Sequence, residues 1–487
     1  MIRWLLLVLL ATPVAAADPI FQAVKVPDHV YTGGWEHFVG GGLAAFDCDG
    51  DSLPELLAAG GTSPMTLLRN RGGMVFERGE FPVITGASGV YALDLDGDGA
   101  MDLVVLRVGP NLTLKGDGAC GFAVYDFGVT PGDAWTTAFS AIWEAGRTRP
   151  TLAFGNYVDR QDPDGPFQAC DDNLLLRPEA EGYAETILTP GFCALSILFS
   201  DENRDGRATL RLSNDRQYYV RDGAEQMWSP TENRFLGAED GFEGPSIWGM
   251  GIASRDITGD GLPDLVLTSM GDQLTMLSTP TGLEMAPYEI GSFAQRPHVG
   301  DDGRPSTGWH AAWGDVDNDG DADLFIAKGN VDQMPDMAMD DPNNLLLNEA
   351  GRFREVAASA GVASMRRGRG AALVDLDGDG RLDLAVVNRR APLEVWRNLS
   401  TAGRAVSVSL SQPGGNRDAV GAWVELRTKA GTQIQELTIG GGHAGGAVSP
   451  LHFGIGDATS AEIRVTWPDG SIGEWTRTGP GPVLIRR

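Results

Sequence analysis

Short apolar runs rich in Val, Leu, Ile and Ala recur along the whole chain, separated by polar stretches, and no long amphipathic helical pattern interrupts them. The stretch LVDLDGDGRLDLAVV, residues 373–387, sets Asp375, Asp377, Asp379 and Asp383 between two such runs. The same arrangement begins at Asp47, Asp94, Asp201, Asp256 and Asp315, with steps between first aspartates of 47, 107, 55, 59 and 60 residues. The double step implies a hidden copy, which the spacing places at LAFGNYVDRQDPDG, with Asn156 to Asp164 as a lengthened version of the loop. Seven units of about 55 residues result, the span of a four-stranded propeller blade.

Each unit repeats one order: a small-residue strand such as GRGAAL or GWHAAW, the acidic loop, a β-branched strand, a strand such as NNLLLN or LEVWRN, then a segment such as GRFREVA. The last unit lacks its final strand after Asn398, whereas IFQAVKV near the N-terminus matches one that is unattached. Phe21 to Val24 is therefore expected to complete the last unit, closing the ring and removing an open sheet edge. The predicted class is all-β, a seven-bladed β-propeller over residues 18–402 followed by a small antiparallel β-sandwich over 403–487. In that second region AWVELRT, TQIQELTI and AEIRVTW alternate between apolar and polar positions, with turns at KAGT and PDGS. It is expected to begin near Val406, with Phe453 and Trp467 in its core and His452 in a structural role.

Composition agrees, since 66 Gly and 28 Pro suit a chain of many strands and turns. A formal charge of −28 argues against nucleic acid or an anionic membrane as partner. MIRWLLLVLLATPVAAADP has a basic start, an apolar run and small residues Ala15 and Ala17 before Asp18, so residues 1–17 read as a cleaved signal peptide. Later stretches are too short or too polar for a transmembrane segment. Export, secreted or periplasmic, permits disulfides, and Cys48, Cys120, Cys170 and Cys193 allow three connectivities or free buried thiols. The expected pairs are Cys48 with Cys120 and Cys170 with Cys193. No CxxC pair suggests zinc.

The acidic loops follow D-x-D-x-D-G-x-x-D. Side chains at positions one, three and five converge, the glycine at six permits a sharp turn, and position nine adds a carboxylate, an oxygen cage suited to calcium. Strands rather than helices flank it, which excludes an EF-hand. The expected ligands are Asp94, Asp96, Asp98 and Asp102; Asp315, Asp317, Asp319 and Asp323; and Asp375, Asp377, Asp379 and Asp383. Asp47, Asp49, Asp51 and Glu55 form a variant with Ser52 for the glycine, and Asp256, Thr258, Asp260 and Asp264 one with a hydroxyl at position three. The loop from Asp201 has Asn203 and Thr209 and keeps two carboxylates, Asp201 and Asp205, so it is expected to bind weakly or not at all.

These blades resemble the FG-GAP or VCBS repeats of integrin-α-type β-propellers, which implies a calcium-binding loop between neighbouring strands. NRDAVGAWVELRTKAGTQIQELTIGGG and SPLHFGIGDATSAEIRVTWPDGS are similar to the ASPIC/UnbV domain. The combination resembles the cartilage acidic protein family and its bacterial secreted relatives. The loop GGGHAGGAVSP departs from the aromatic, Ser/Gln-containing run that the resemblance implies there, and no binding role is assigned to it.

Catalytic signatures are sparse. GDGACG from Gly116 matches G-x-G-x-x-G, but strand-like FAVYDFG follows it, and G-x-S-x-G, P-loop and HExxH patterns are missing. The candidate site is the group expected on innermost strands facing the channel: Trp248, Met250, Trp309, His310, Arg366, Arg367 and Arg369; the structural reading, which is favoured, is that they plug the channel or pair with acidic neighbours. The leading reading is a calcium-stabilised module that binds an extracellular protein or glycan; the alternatives are an extracellular carbohydrate-active enzyme at the channel mouth and a structural surface protein. A filled channel would favour binding or scaffolding. Oligomeric state is not legible.

Overall fold

The computed structural model describes residues 18–487 apart from 130–131, 164–167, 216–222, 280–281, 301–302 and 332–333. The leader expected over residues 1–17 lies outside the described residues, as does Asp164.

Apolar runs covered on both sides make strands with no polar face. The second strands of the repeats follow this rule, and Asp264–Ser269, Asp323–Lys328 and Asp383–Arg389 are buried along their whole length. Each fully buried Leu or Ile in them contributes about 1.5–3 kcal/mol. The first strands are Leu43–Phe46, Ala87–Leu93, Asp133–Ile142, Ala194–Ser200, Gly249–Arg255, Gly308–Gly314 and Arg367–Val374. They neighbour one another in that order, and the last lies against the first, which makes the strands the inner wall of a ring. Each heads a group of four antiparallel strands, two of the groups being fused into one larger sheet where Trp135 pairs with Val108. Six of the seven first strands carry a register shift among small residues, for example between Gly249 and Gly251, and such bulges add bend and twist close to the axis.

Ring closure is as the sequence indicated. Phe21–Val24 pairs antiparallel with Glu394–Asn398, Phe21 opposite Asn398, and the Leu399 amide donates to Ile20 O at 2.7 Å. Asp18 adds an ion pair to Arg354 at 2.8 Å. Both expected disulfides are present, Cys48–Cys120 and Cys170–Cys193.

The hidden copy is displaced from its expected place. In the third group the first strand, Asp133–Ile142, is joined to the second, Thr151–Asn156, by residues 143–150, WEAGRTRP. This is the position that the acidic loop holds elsewhere, whereas Asn156 to Asp164 begins only where the second strand ends. The true counterpart keeps one carboxylate, Glu144, already engaged by Arg177 at 2.9 Å and Thr151 at 3.0 Å. Its lost aspartates are why the spacing alone pointed one strand too far.

The second region packs two sheets face to face. Arg404–Ser411 pairs with Leu451–Gly456 and, in parallel, with Gly481–Arg486, so one pair departs from the otherwise antiparallel pattern. Trp423–Arg427, Thr432–Glu436, Ala461–Thr466 and Thr476–Thr478 form the other sheet. Val406, Val424, Ile463, Phe453 and Trp467 fill the space between them, the last two as expected. Ala447–Val448 leaves this domain and adds a parallel strand to Leu43–Phe46 of the ring.

Candidate metal centres and the filled channel

Each acidic loop is wound by its own carboxylates. In the loop from Asp375, Oδ1 accepts the Gly378 amide and Oδ2 the Gly380 amide, both at 2.8 Å, and Asp379 Oδ1 accepts the Arg381 amide at 3.0 Å. The loops from Asp47, Asp94 and Asp256 repeat the pattern. Glycine at the turn is needed for conformation, since Gly378 and Gly380 have φ of 74° and 83°. The ninth residue is wholly buried and ties the loop to the rest of its group. Asp383 accepts the Leu376 amide at 2.9 Å and, from the third strand, the Asn398 amide at 2.8 Å; Asp323 does the same with Val316 and Asn348.

Four sets of carboxylates converge with oxygens within 4.8 Å of one another: Asp47, Asp49 and Glu55; Asp94, Asp96 and Asp102; Asp315, Asp317 and Asp323; and Asp375, Asp377 and Asp379. Asp256, Asp260 and Asp264 are not drawn together to that degree, Thr258 turning its hydroxyl toward Asp256 at 3.5 Å. Asp51, Asp98 and Asp319 hold their loops through backbone amides. A fifth grouping, Glu55 with Cys48 and Cys120, offers no thiolate because those sulfurs are bonded to each other.

The convergence has an electrostatic cost. Burial, followed by neighbouring carboxylates, raises Asp315 and Asp323 well above the usual range. Burial is also the main reason why Asp102 and Glu55 are pushed up to about 7 and Asp383 to about 8. Basic side chains from the third strands offset part of this repulsion. Arg69 meets Asp49 at 2.5 Å, Lys115 bridges Asp96 and Asp98, and Arg397 reaches Asp377 at 2.7 Å and Asp379 at 3.2 Å. Sequence reading missed these residues and the asparagine that follows two of them. Asn70, Asn348 and Asn398 donate to the loop carbonyls of Pro54, Ala322 and Leu382, and their place at the end of a repeated strand was the available signal.

The donor set fits a hard cation. All of it is oxygen, and Asp49 Oδ1 and Asp377 Oδ1 are buried without a hydrogen-bond partner, while Glu55 Oε1 has the Arg69 guanidinium at 3.4 Å; such burial is costly unless something positive is shared among them.

The channel is filled from both ends of the chain. Residues 439–446, the glycine loop of the second domain, run along the inner wall by backbone hydrogen bonds: Gly441 N to Ile197 O, Gly442 N to Ile252 O, and Val90 N to Ala444 O. Close approach requires the glycines on both sides, since a Cβ on Gly42 would fall 1.8 Å from Ala444 O and one on Gly442 would fall 2.3 Å from the His310 ring. His443 lies at the centre. Its Nε2 is 2.6 Å from Val39 O of the N-terminal segment, its Nδ1 is 3.1 Å from Met250 O, and its amide donates to His310 Nδ1 at 3.0 Å.

The candidate channel residues accordingly divide. Trp309, His310, Met250 and Arg369 are buried around His443: the Trp309 ring meets it edge-on at 4.9 Å, and Arg369 stacks on Trp309 at 4.0 Å while donating to Phe38 O at 3.0 Å. Burial pushes His310 down to about 4 and His443 to about 3, so both rings are neutral near pH 7. Trp248 and Arg367 are half-buried, and Arg366 is exposed with its guanidinium on Pro392 O at 3.2 Å. Around His310 the channel is a closed, neutral core, in keeping with the reading that these residues plug it.

The second domain also rests on the acidic loops. His452 Nε2 is 2.7 Å from Asn318 Oδ1, and a Cβ on Gly454 would strike Asp315 Oδ2 at 1.8 Å. Glu436 accepts the Ser200 hydroxyl at 2.5 Å and the Asp201 amide at 3.0 Å. The LHFGIG signature is thus a docking strand whose glycine makes room for a loop carboxylate.

A propeller of repeated acidic loops, capped by this small domain, matches two family descriptions: FG-GAP-like repeat at residues 47–105 and 256–326, and ASPIC and UnbV at residues 412–484. The chain thus carries FG-GAP-like repeats within the propeller and an ASPIC and UnbV region near its end. It is similar to cartilage acidic protein 1 of Homo sapiens, 27% identical over 245 residues that make up 48% of this chain and 35% of that protein. The Xenopus tropicalis protein of the same name is 33% identical over 110 residues, 22% of this chain and 17% of that one. The matches thus span about a third or less of these relatives' own length. Among solved structures, BBS1N in complex with ARL6DN aligns with a TM-score of 0.47 at 11% identity, covering 79% of this chain and 99% of that one. The BP39L lectin from Burkholderia pseudomallei aligns with a TM-score of 0.46 at 13% identity, covering 75% and 97%.

Proposed function

We propose that the protein is an exported, calcium-stabilised binding module for an extracellular protein or glycan. The observation that carries the metal part is the convergence of buried, unpartnered carboxylate oxygens, Asp377 Oδ1 and Asp49 Oδ1 foremost, in loops whose donors are all oxygen. Asp47, Asp49 and Glu55; Asp94, Asp96 and Asp102; Asp315, Asp317 and Asp323; and Asp375, Asp377 and Asp379 would hold the ions, with the loop from Asp256 a weaker fifth. Two disulfides support an oxidising compartment, secreted or periplasmic. The filled channel supports binding rather than chemistry there, because an acid or base must reach a substrate proton and His310 is enclosed and held by the His443 amide.

Calcium titration by calorimetry, paired with melting in calcium and in chelator, tests the reading. Calcium at 100 times its dissociation constant should stabilise the native state by about 2.7 kcal/mol per site. Asp377→Asn with Asp379→Asn should remove part of that gain, while Asp205→Asn should change little. Absence of both binding heat and a melting shift would refute the metal assignment.

A further inference from the structure

Between the propeller and the second domain lies a cleft of about 880 Å³, adjoined by a smaller cavity of about 170 Å³. Arg255, Trp313, Gln435, Glu436 and Thr438 line both. Clefts at domain junctions are where ligands are most often held, and this volume suits an oligosaccharide of a few residues.

Arg255 ends an innermost strand, Gly249–Arg255, and is half-buried in the cleft wall. Its guanidinium stacks loosely on Phe453 at 5.9 Å, and it forms no hydrogen bond or ion pair with a described residue. Asp256, Asp315 and Asp323 act on it electrostatically without pairing. A planar fork of N–H donors left unused in a polar cleft matches a carboxylate presented from outside. The wall also carries Asp375 and Asp379 beside Arg381 and Arg404, and several of its other residues suit a sugar's hydroxyls and ring. Ser407 and Ser409 point from one face of Arg404–Ser411, and their hydroxyls bond no described residue. Gln435 gives its Nε2 to His452 O at 2.6 Å and retains its carbonyl oxygen for a hydroxyl donor. Trp313, half-buried with Nε1 on Ala253 O at 3.3 Å, supplies a flat apolar face.

We infer that this cleft binds an acidic oligosaccharide, Arg255 taking a uronate carboxylate while Trp313, Gln435, Ser407 and Ser409 receive the ring and its hydroxyls. The inference rests on the binding-module reading and names its ligand class. It also moves recognition from the channel, where the sequence pointed, to the domain junction.

Trigalacturonate, neutral galactotriose and pentaglutamate serve as probes, titrated into the full chain by calorimetry in calcium. Trigalacturonate should bind, galactotriose should bind at least about tenfold more weakly, and Arg255→Gln should weaken trigalacturonate by about ten- to a hundredfold. Ser409→Trp, which fills the cleft from the other domain, should abolish binding with unchanged melting. Calcium heat and melting of each variant are recorded alongside, so lost sugar binding with an intact calcium response reports on the cleft alone. No binding of trigalacturonate to the wild-type chain, equal binding to Arg255→Gln, or tighter binding of pentaglutamate would each overturn the proposal.

Discussion

Replacing His443 by Ala tests whether the glycine loop is a structural stopper of the channel. The ring is fully buried, and its neutral form carries one N–H, which the shorter contact, to Val39 O at 2.6 Å, takes. Removing it strands that carbonyl at a cost of about 1–3 kcal/mol. Loss of the edge-on contact with Trp309 removes about 0.5–1.5 kcal/mol more. The vacated space adds about 1–2 kcal/mol, because the inner strands are hydrogen-bonded around it and cannot collapse freely. The variant should therefore lose about 3–6 kcal/mol in urea unfolding followed by tryptophan fluorescence. His443→Gln, which restores a donor without the ring, should recover part of it. A loss below about 0.5 kcal/mol for the alanine variant, the level of an ordinary surface change, would show that the loop does not occupy the channel.

Other expected outcomes concern the ends of the ring, the disulfides and pH. Deleting residues 18–27 removes the strand paired with Glu394–Asn398 and should produce aggregation on size exclusion; a monomer with unchanged melting would refute closure by this strand. Converting Cys48 and Cys120 together to Ala should cost about 4 kcal/mol and the Cys170 and Cys193 pair about 3, because sequence separations of 72 and 23 close loops of different size; chemical unfolding reads both. Burial pushes Glu436 from 4.5 up to about 8, so the folded chain keeps a proton there that the unfolded chain has released. Its stabilising contribution is full below pH 4.5 and is lost as pH rises toward 8, and Glu436→Gln should flatten the pH profile of stability by up to about 1.4 kcal/mol per pH unit within that window.

The repeats, ring closure and cysteine pairing were legible because each leaves a local pattern: carboxylates in register, a missing strand at one end and a spare one at the other. Where the pattern decays, the reading slips. The third group's loop keeps Glu144 and no aspartate, so the acid-rich stretch after Asn156 looked like its replacement. Pairing of Asn70, Asn348 and Asn398 with loop carbonyls was within reach, since all three close a third strand, but an asparagine there also reads as a plain turn residue. The segment that fills the channel could not be read. Trp309, His310 and Arg369 were placed on inner strands, yet what fills the space between them comes from 133 residues further along, through His443. That contact uses glycine backbones, which carry no side-chain signature of a partner.

Glycine contacts are also how two acidic surfaces come to lie against each other. The second domain sets Asp418 beside Asp94 and Glu436 beside Asp201, arrangements that burial and like charge both oppose. Side-chain attraction offsets part of this, as where Arg204 meets Glu425 at 3.3 Å with both side chains largely buried. The larger share must come from backbone hydrogen bonds inside the channel and from strands that fit because Gly454, Gly415 and Gly89 present no side chain to Asp315, Thr148 and Ala444. Whatever neutralises the loops therefore lowers the repulsion beneath the second domain and, because Gly454 and His443 belong to that one domain, favours the seating of His443. Under the calcium reading, metal occupancy, domain docking and closure of the channel are linked equilibria, and the cleft that holds Arg255, walled by both domains, depends on that docking.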